Sequence, residues 1–372
     1  MVDSGINPYH EAFRSHEFDN GTVARMIGVP VTEVNLSQTG SFGDRIEADQ
    51  GMWSSLKPGQ LYHFAGTRVV AISMLNTTKG SFILDDSSSH GTATAGVVAK
   101  IAQSSLIVAI QGSGGLCTTS CLIDPSLPNG VAWAAHQPWI DVISISFGNP
   151  GNPPDDPSLH PEMQTYLDGT RLAASEGKLV VAAAGNDPSP TMQSYTCGPP
   201  WIICIGGFEP STNGTSADSS HGVDFISNVT AFAPTATSTE NYTWRSGTSF
   251  STPTAAGAFA EGLAQLREAG FCRALSPDCA HQMREAANAS AIRFGPTDFN
   301  PTGEPEESPV LGKVFVVTVP IVGGAAQQGW GVVGPAFVPA FVKAVEGRVQ
   351  PAQDSTSSYQ AQYQSIRESN WK

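Results

Sequence analysis

Four polar residues of this chain stand where a predicted strand ends or a predicted helix begins: Asp3, His90, Asn186 and Ser249. In an open parallel sheet, reacting groups gather at the carboxyl ends of strands and at the adjacent helix starts. A carboxylate, an imidazole and a hydroxyl are the groups that nucleophilic acyl transfer requires, because serine alone is a weak nucleophile at neutral pH. The four positions therefore predict a site for this chemistry.

Each residue type has a distinct task in such a site. Ser249 would attack, His90 would take its proton, and Asp3 would hold the imidazole tautomer. The Asn186 amide would donate a hydrogen bond to the developing oxyanion, which is worth about 2.7 to 4 kcal/mol. A helix that starts near Ser249 would direct the positive end of its dipole at the same oxyanion.

The elements that must position these residues alternate along the chain. Near-continuous apolar runs separated by helices predict an α/β fold with a mostly parallel sheet that is covered on both faces. The predicted strands cover residues 61–74, 106–110, 142–147 and 179–184. The predicted helices cover residues 91–101, 129–136, 162–176, 251–266 and 338–345. For the fourth helix, Ser251 is the candidate cap and Pro253 the candidate first-turn residue.

At these motifs the chain resembles the subtilisin-like serine proteases, the subtilase family. The motifs occur in the family's order of Asp, His and Ser. They are Asp3-Ser4-Gly5, His90-Gly91-Thr92 with Ala95-Gly96, and Gly247-Thr248-Ser249 with Pro253. The resemblance implies a three-layer, doubly wound fold and a serine endopeptidase (EC 3.4.21 class) that acts on protein or peptide substrates. The implied catalytic residues are Asp3, His90 and Ser249.

Two further segments are similar to the family's substrate cleft. Ser146-Phe147-Gly148 resembles the strand that pairs with the substrate backbone. Ala183-Ala184-Gly185-Asn186 resembles the segment that carries the oxyanion asparagine, so Asn186 is the implied oxyanion donor and Ala184 and Gly185 are implied substrate contacts. With Gly329-Trp330-Gly331 before the last helix, the resemblance extends from residue 3 to about residue 345.

The chain also departs from the family's pattern. His90 follows Asp3 by 87 positions, which is longer than usual and predicts an insertion at about residues 16–60 of a peptidase domain over residues 1–347. Residues 348–372 form a polar tail that we expect to be mobile. An alternative alignment places Ser73 at the aspartate position, but Asp3 fits the motif far better. Asp85 and Asp86 are further rivals, and we expect both to be solvated.

Only Met1 and Val2 precede Asp3, so we expect the first catalytic strand to be truncated in this sequence. Because a basic segment and an apolar core do not precede Asp3, we expect this chain to carry no signal peptide, and we hypothesise that it is a shortened form of a longer precursor. Two alternatives to an active protease follow. One is a catalytically silent module that keeps the subtilase fold for binding, and the other is an inactive fragment of a protease precursor.

Charge and composition exclude several other classes. The formal charge of −14 would repel phosphate backbones, which disfavours a nucleic-acid partner. The sequence contains no run of about 18 apolar residues, which disfavours a membrane protein. Gly-x-Ser-x-Gly around Ser249, a P-loop and zinc-helix spacing are all absent from the sequence. We expect no required cofactor and no metal at the site; a structural calcium ion, common in the family, has no ligands that we can place.

The cysteines bear on the compartment. Six cysteines form three close pairs without any Cys-x-x-Cys: Cys117 and Cys121, Cys197 and Cys204, and Cys272 and Cys279. Three short disulfide loops are one of 15 connectivities, and buried thiols are the alternative. Asn-x-Ser/Thr patterns recur along the chain, as at Asn20, Asn35 and Asn241. Together these features favour a secreted, extracellular protein, which we expect to be a monomer.

Overall fold

The computed structural model describes residues 1–75, 84–114, 125–148, 161–187, 195–211, 214–216, 218–220, 222–273, 275–292, 305–308, 312–315 and 329–347. The strands in these ranges are β1 (Val2–Asp3), β2 (Thr32–Val34), β3 (Tyr62–Phe64), β4 (Val69–Ser73), β5 (Ile107–Gln111), β6 (Val142–Ile145), β7 (Leu179–Ala183), β8 (Ile203–Glu209), β9 (Gly214–Thr215), β10 (Phe225–Asn228), β11 (Thr230–Pro234), β12 (Tyr242–Ser246), β13 (Pro305–Ser308) and β14 (Gly312–Phe315). The helices are α1 (Asn20–Ile27), α2 (Phe42–Ala48), α3 (Gln50–Ser55), α4 (His90–Ile101), α5 (Ser126–Ala135), α6 (Pro161–Ser175), α7 (Thr248–Glu268), α8 (Pro277–Ser290) and α9 (Val338–Val345).

The central sheet is mostly parallel. Its strands follow the order β10-β8-β7-β6-β1-β5-β4-β3-β2, and β9 pairs with β8 off this path. The pairs β3/β4 and β8/β9 are antiparallel, whereas β1 runs parallel to both β5 and β6. Val2 lies opposite Ile110 on one side and Ile145 on the other. The α/β fold with a mostly parallel sheet is therefore confirmed.

Helices cover both faces of the sheet because its strands are apolar on both sides. In β7, Val180 and Ala182 pack into one core cluster with residues of α5 and α6. The alternating residues Leu179 and Val181 pack into a second cluster with residues of α7, α8 and α9. This alternation produces the three layers that the resemblance implied.

The small residues of α4 allow it to pack closely. The stretch from Gly91 to Ala99 is buried throughout. A Cβ atom at Gly91 would overlap the backbone of Gly5, in the loop that follows β1, and one at Gly96 would overlap the ring of Pro234 at the end of β11. Close contacts with the Gly5 backbone and the Pro234 ring thus fix α4 between the start of the chain and the β11/β12 hairpin.

The segment over residues 16–60, which the sequence predicts to be an insertion, contains α1, α2, α3 and β2. The strand β2 forms one edge of the sheet next to β3. The helices pack there through Val23, Ile27 and Trp53, all buried. The domain limits stay a prediction, and the predicted tail lies outside the described residues.

The start of α7 differs from the prediction. The helix begins at Thr248, with Gly247 as its N-cap, so Ser251 and Pro253 lie inside it. The Gly247 backbone has φ of 128°, which favours glycine, and this bend starts the helix three residues earlier than Ser251. Ser249 is consequently in the first turn of α7.

Two of the three predicted cysteine pairs are disulfide-bonded: Cys197–Cys204 and Cys272–Cys279. Cys117 and Cys121 lie outside the described residues. Of the helices that the structure describes, none has the length and apolar character needed to cross a bilayer.

Candidate active site

The predicted site residues gather at the carboxyl edge of the central sheet. Asp3 ends β1, Ser146 directly follows β6, and Asn186 lies just beyond β7. His90 is the first residue of α4, and Ser249 is the second residue of α7. Three neighbouring parallel strands and two helix starts therefore bring together residues that are up to 246 positions apart in the sequence.

Asp3 and His90 form a direct hydrogen bond. The imidazole Nδ1 lies 2.8 Å from Asp3 Oδ1, and Asp3 is 5% exposed. The Ser4 N–H donates to Oδ1 at 2.8 Å, and the Thr94 hydroxyl donates to Oδ2 at 3.1 Å. Both carboxylate oxygens are thus satisfied, which fixes the carboxylate plane and orients the imidazole.

Burial and the Asp3–His90 pair act against each other on the two pKa values. Burial is the largest single influence on the Asp3 carboxyl and opposes its ionisation. His90, by charge and hydrogen bond, together with Ser4 and Thr94, outweighs burial and lowers the pKa of Asp3 below its ordinary value.

Burial is also the largest single influence on His90, where it disfavours the imidazolium. The charge and hydrogen bond of Asp3, with a smaller contribution from Asp86, outweigh burial and raise the pKa of His90, while Arg245 acts in the opposite direction. The site therefore stabilises a protonated imidazole, which is the form that a general base takes on.

The prediction that Asp85 and Asp86 are both solvated is wrong for Asp86. Asp85 is exposed, but Asp86 is buried, with 3% of its surface exposed. Its carboxylate accepts hydrogen bonds from the Ser4 hydroxyl at 2.7 Å, the Ser88 hydroxyl at 3.1 Å and the Thr92 N–H at 2.6 Å. These donors compensate for the lost hydration, so Asp86 supports the turn before His90.

Ser249 lies at the same edge of the sheet as this pair, and its hydroxyl is bonded to another residue. Its hydroxyl donates to the carbonyl oxygen of Ser146 at 2.8 Å. Within the described part of the chain, no hydrogen bond joins the Ser249 hydroxyl to His90. The following residue, Phe250, has its ring centroid 5.8 Å from that of the imidazole. The residue that follows Ser249 thus contacts the His90 ring, while the Ser249 hydroxyl itself is bonded to Ser146.

Thr248 orients the Asn186 amide. Asn186 Oδ1 accepts from the Thr248 N–H at 2.7 Å and from the Thr248 hydroxyl at 2.9 Å. Because a backbone N–H can only donate, the atom facing it must be the oxygen, which turns the Nδ2 donor away from Thr248. The Thr248 hydroxyl also accepts from the Gly185 N–H at 3.2 Å. An exposed Asn186 is thus held with a known amide orientation.

The predicted substrate contacts line the same edge. Ser146 is buried and gives its carbonyl to Ser249, while Phe147 and Gly148 are half-buried. Ala184 is buried, and Gly185 has φ of 107°, a conformation that favours glycine. Among the described residues, no group of three or more His, Cys, Asp or Glu side chains is placed to hold a metal ion. The structural calcium ion stays a prediction without ligands.

The fold, with an aspartate–histidine pair and a helix-borne serine at one edge of its sheet, is typical of serine peptidases with an α/β architecture. The sequence matches the subtilase family, Peptidase S8, over residues 1–300. The chain belongs to this family of serine peptidases, as the resemblance of its motifs predicted.

Several bacterial subtilisins are similar to part of the chain. Subtilisin amylosacchariticus of Bacillus subtilis subsp. amylosacchariticus is 32% identical over 187 residues, which cover 47% of this chain and 45% of that protein. The subtilisin of Bacillus pumilus is also 32% identical over 187 residues, 47% of this chain and 63% of that protein. The chain thus spans about half the length of the curated relatives it matches.

Solved structures agree with the fold. The prenylagaramide maturation protease PagA superimposes with a TM-score of 0.50 at 15% identity and covers 92% of each chain. A lanthipeptide protease superimposes with a TM-score of 0.52 at 15% identity, over 94% of this chain and 86% of that one. At this identity the likeness concerns the fold.

Proposed function

We propose that the protein is a serine endopeptidase that hydrolyses peptide bonds through an acyl-enzyme. The observation that carries this proposal is the Asp3–His90 hydrogen bond of 2.8 Å, made by a buried carboxylate at the sheet edge that also carries a serine in the first turn of a helix. A general base must accept a proton from its nucleophile and hold the resulting charge. In this site the negative charge of Asp3 would stabilise the positive charge that forms on His90.

The first step of the reaction assigns a task to each residue. When substrate binds, the Ser249 hydroxyl turns from the Ser146 carbonyl to His90 Nε2 by a change of χ1 rotamer. Oγ attacks the scissile carbonyl while its proton passes to His90, and Asn186 Nδ2 donates to the oxyanion. The imidazolium then protonates the leaving amine, which releases the carboxyl-side peptide and leaves an acyl group on Ser249.

A water molecule completes the cycle. It gives its proton to His90 and attacks the acyl carbon; as the tetrahedral intermediate collapses to the carboxylic acid, His90 returns the proton to Ser249 Oγ. During both steps the acyl side of the substrate would lie in extended form along Ser146, Phe147 and Gly148. Ala184 and Gly185 would form the floor of the adjoining subsite.

The test is covalent labelling combined with turnover. Ser249→Ala should abolish labelling by a fluorophosphonate and lower kcat on casein by about 10⁶-fold, the loss known for the nucleophile of a subtilisin. Ser246→Ala is the matched control, because Ser246 is exposed and only three positions away. Labelling that persists in Ser249→Ala would place the nucleophile elsewhere and overturn the proposal.

A second candidate function is peptide binding without turnover. The observation that favours it is the Ser249 hydroxyl, which is bonded to Ser146 and not to His90. Wild-type protein that binds casein peptides but neither reacts with the fluorophosphonate nor cleaves them would support this candidate. Stoichiometric labelling of Ser249 would exclude it.

We also propose that the protein works as a monomer in an oxidising, extracellular compartment, where the Cys197–Cys204 and Cys272–Cys279 disulfides would persist. The proposed chemistry requires no cofactor. Sedimentation and free-thiol counting of the native protein test both expectations.

A further inference from the structure

Arg245 lies on the inner face of the β11/β12 hairpin. It is directly opposite Ala231, and Ala233 is two residues further along β11. Because side chains alternate between the two faces of a strand, Arg245 shares its face with these alanines and not with Trp244. Ala233 is buried in a cluster with Phe250 and residues of α4, and Ala231 packs against that cluster. The inner face of the hairpin therefore meets Phe250 and α4.

This inner face adjoins the proposed active site. The Phe250 ring has its centroid 5.8 Å from that of the His90 imidazole. Strand β12 ends at Ser246, one residue after Arg245, and α7 begins two residues later with Ser249 in its first turn. Arg245 therefore belongs to the strand that leads into the proposed nucleophile, on the face that meets the proposed base.

The charges that act on the imidazole agree with this placement. Burial and the Arg245 guanidinium of β12 lower the pKa of His90, whereas Asp3 of β1 and Asp86 of the turn before α4 raise it and prevail. The contact from α7 is the uncharged ring of Phe250. The charge of Arg245 thus opposes the imidazolium that the proposed reaction has to form.

Arg245 lacks a partner of its own. Among the residues that the structure describes, none forms a hydrogen bond with its buried Nε, and none forms an ion pair with its guanidinium. Other arginines are satisfied: Arg68 donates to the Ala102 carbonyl at 3.0 Å, and Arg267 bonds to Asp141 at 2.6 and 2.7 Å. A donor that is buried without a partner is destabilising, so a ligand that brings an acceptor would stabilise this site.

The chemistry decides which half of a substrate passes Arg245. In the proposed mechanism His90 protonates the leaving amine, so the segment on the carboxyl side of the scissile bond departs past His90. The acyl side would lie along Ser146, Phe147 and Gly148. A guanidinium carries only donors and matches the two oxygens of a carboxylate with parallel hydrogen bonds.

We propose that Arg245 binds a carboxylate on the leaving segment of the substrate, which an acidic side chain or a free C-terminus would supply. This inference rests on the proposed function and narrows its substrate class. A bound carboxylate would also offset the positive charge that opposes the imidazolium. The contact that binds the substrate would therefore favour proton transfer to His90 as well.

Two pairs of peptides with a common acyl half test the source of the carboxylate. In the first pair the leaving segment has an amidated C-terminus and begins with either glutamate or glutamine. In the second pair the leaving segment is a single alanine, either with a free C-terminus or amidated. Wild-type protein should prefer the acid in at least one pair by about tenfold in kcat/KM, the contribution of one charge-assisted hydrogen bond. The pair that shows the preference identifies the source.

Substitutions at Arg245 test whether it is responsible. Arg245→Gln should remove the preference, so that the acid and the amide of each pair react alike. Arg245→Lys keeps the charge without the two parallel hydrogen bonds and should retain part of the preference, which separates recognition from folding. Arg25→Gln is the matched control, because Arg25 is an exposed arginine of α1 and its loss changes the net charge equally. It should leave the preference within about twofold of wild type.

The pH profile on a peptide p-nitroanilide tests the placement of Arg245, since this substrate has no amino acid beyond the scissile bond. His90 must be neutral to accept a proton, so activity rises as the pH passes its pKa. Arg245→Gln removes a charge that lowers the pKa of His90, so the acid limb should move to higher pH. Arg25→Gln should leave the acid limb in place.

Several outcomes would overturn the inference. Equal rates on the acid and the amide of both pairs in wild-type protein would show that no carboxylate is bound. A preference that survives in Arg245→Gln would assign the recognition to another residue, even if all rates fall. An acid limb that stays in place in Arg245→Gln would show that the guanidinium does not face His90. Wild-type protein that hydrolyses neither the peptides nor the p-nitroanilide refutes the proposed function itself, and the inference with it.

Discussion

The two ends of the proposed site are held in different ways. At the Asp3–His90 end, both oxygens of the buried Asp3 carboxylate accept hydrogen bonds. The buried Asp86 carboxylate, which accepts from the Ser4 hydroxyl, stabilises the turn before His90. At the Ser249–Asn186 end, the hydroxyl is bonded to a main-chain carbonyl and the asparagine is exposed. The proposed base, His90, is therefore already oriented, whereas the proposed nucleophile, Ser249, would have to exchange one hydrogen bond for another.

This difference follows from what each end has to do. The charge that develops on His90 needs a fixed partner, since a carboxylate that had to reorient would raise the barrier. The serine needs only to rotate about one bond, and its helix already fixes its backbone. Each of the following four substitutions affects one of the two ends. The sizes of their effects measure how differently the two ends depend on a fixed geometry.

The largest effect is expected at the rigid end. Asp3→Asn should lower kcat by about 10⁴-fold, since the amide no longer holds the productive tautomer. His90 must be neutral to act as a base, so activity rises with pH through its pKa. Because burial lowers that pKa and Asp3 raises it, the acid limb should move to lower pH in Asp3→Asn. Rates on a p-nitroanilide over a range of pH measure both effects.

Asp85→Asn is the control for this change, because Asp85 is an exposed carboxylate nearby. It should leave kcat within about twofold, as most surface substitutions do. An acid limb that stays in place in Asp3→Asn would contradict the assignment of His90 as the base.

A smaller loss is expected at the exposed end. Asn186→Ala should lower kcat by about 10²- to 10³-fold with little change in KM, the cost of removing one oxyanion donor in a subtilisin. The donor acts only when the oxyanion forms, so substrate binding is spared. A change confined to KM would make Asn186 a substrate contact instead.

Asp86→Asn tests the hydrogen bonds that stabilise the turn before His90. Its carboxylate receives three donors on its two oxygens, and an amide must turn its NH₂ towards at least one of them. The free energy of unfolding should fall by about 1 to 3 kcal/mol, measured in urea. The acid limb should move to lower pH by less than in Asp3→Asn. A larger shift than that of Asp3→Asn would make Asp86 the principal carboxylate partner of His90.

The smallest effect is expected for Thr248→Val. Asn186 Oδ1 would lose one of its two donors, and the Gly185 N–H would lose its acceptor. One such bond is worth about 1 kcal/mol, so kcat should fall between about five- and tenfold. Thr254→Val is the control, because this buried hydroxyl of α7 bonds only to the Phe250 carbonyl in the described structure. Equal kcat losses in both variants would indicate a general effect on the helix.

The parts of the site that the sequence predicted lie on helices and strands with a clear local residue pattern. The small-residue run after His90 and the apolar runs ending near Ser146 and Asn186 predicted the helix and strands that carry them. The carboxyl ends of parallel strands and the starts of the adjacent helices lie at one edge of a sheet. The sequence alone therefore predicted that the motifs at these positions lie close together.

Other features depend on contacts that a local pattern does not contain. Asp86 is buried because Ser4, 82 positions away, donates to it. The β11/β12 hairpin was missed because its strands are joined by residues 235–241, without the two-residue turn that marks a hairpin. The α8 helix did have a signal, since Ser276 caps it and Pro277 is its first residue.

The contact between Gly5 and Gly91 has a consequence for recovery from acid. Protonation of Asp3 breaks its bond to His90, but main-chain packing still sets the spacing between the two residues. After a brief acid pulse, neutralisation would only have to remove the added protons for the Asp3–His90 hydrogen bond to form again. The proposed site would then regain its geometry without a rearrangement of the main chain between Gly5 and Gly91.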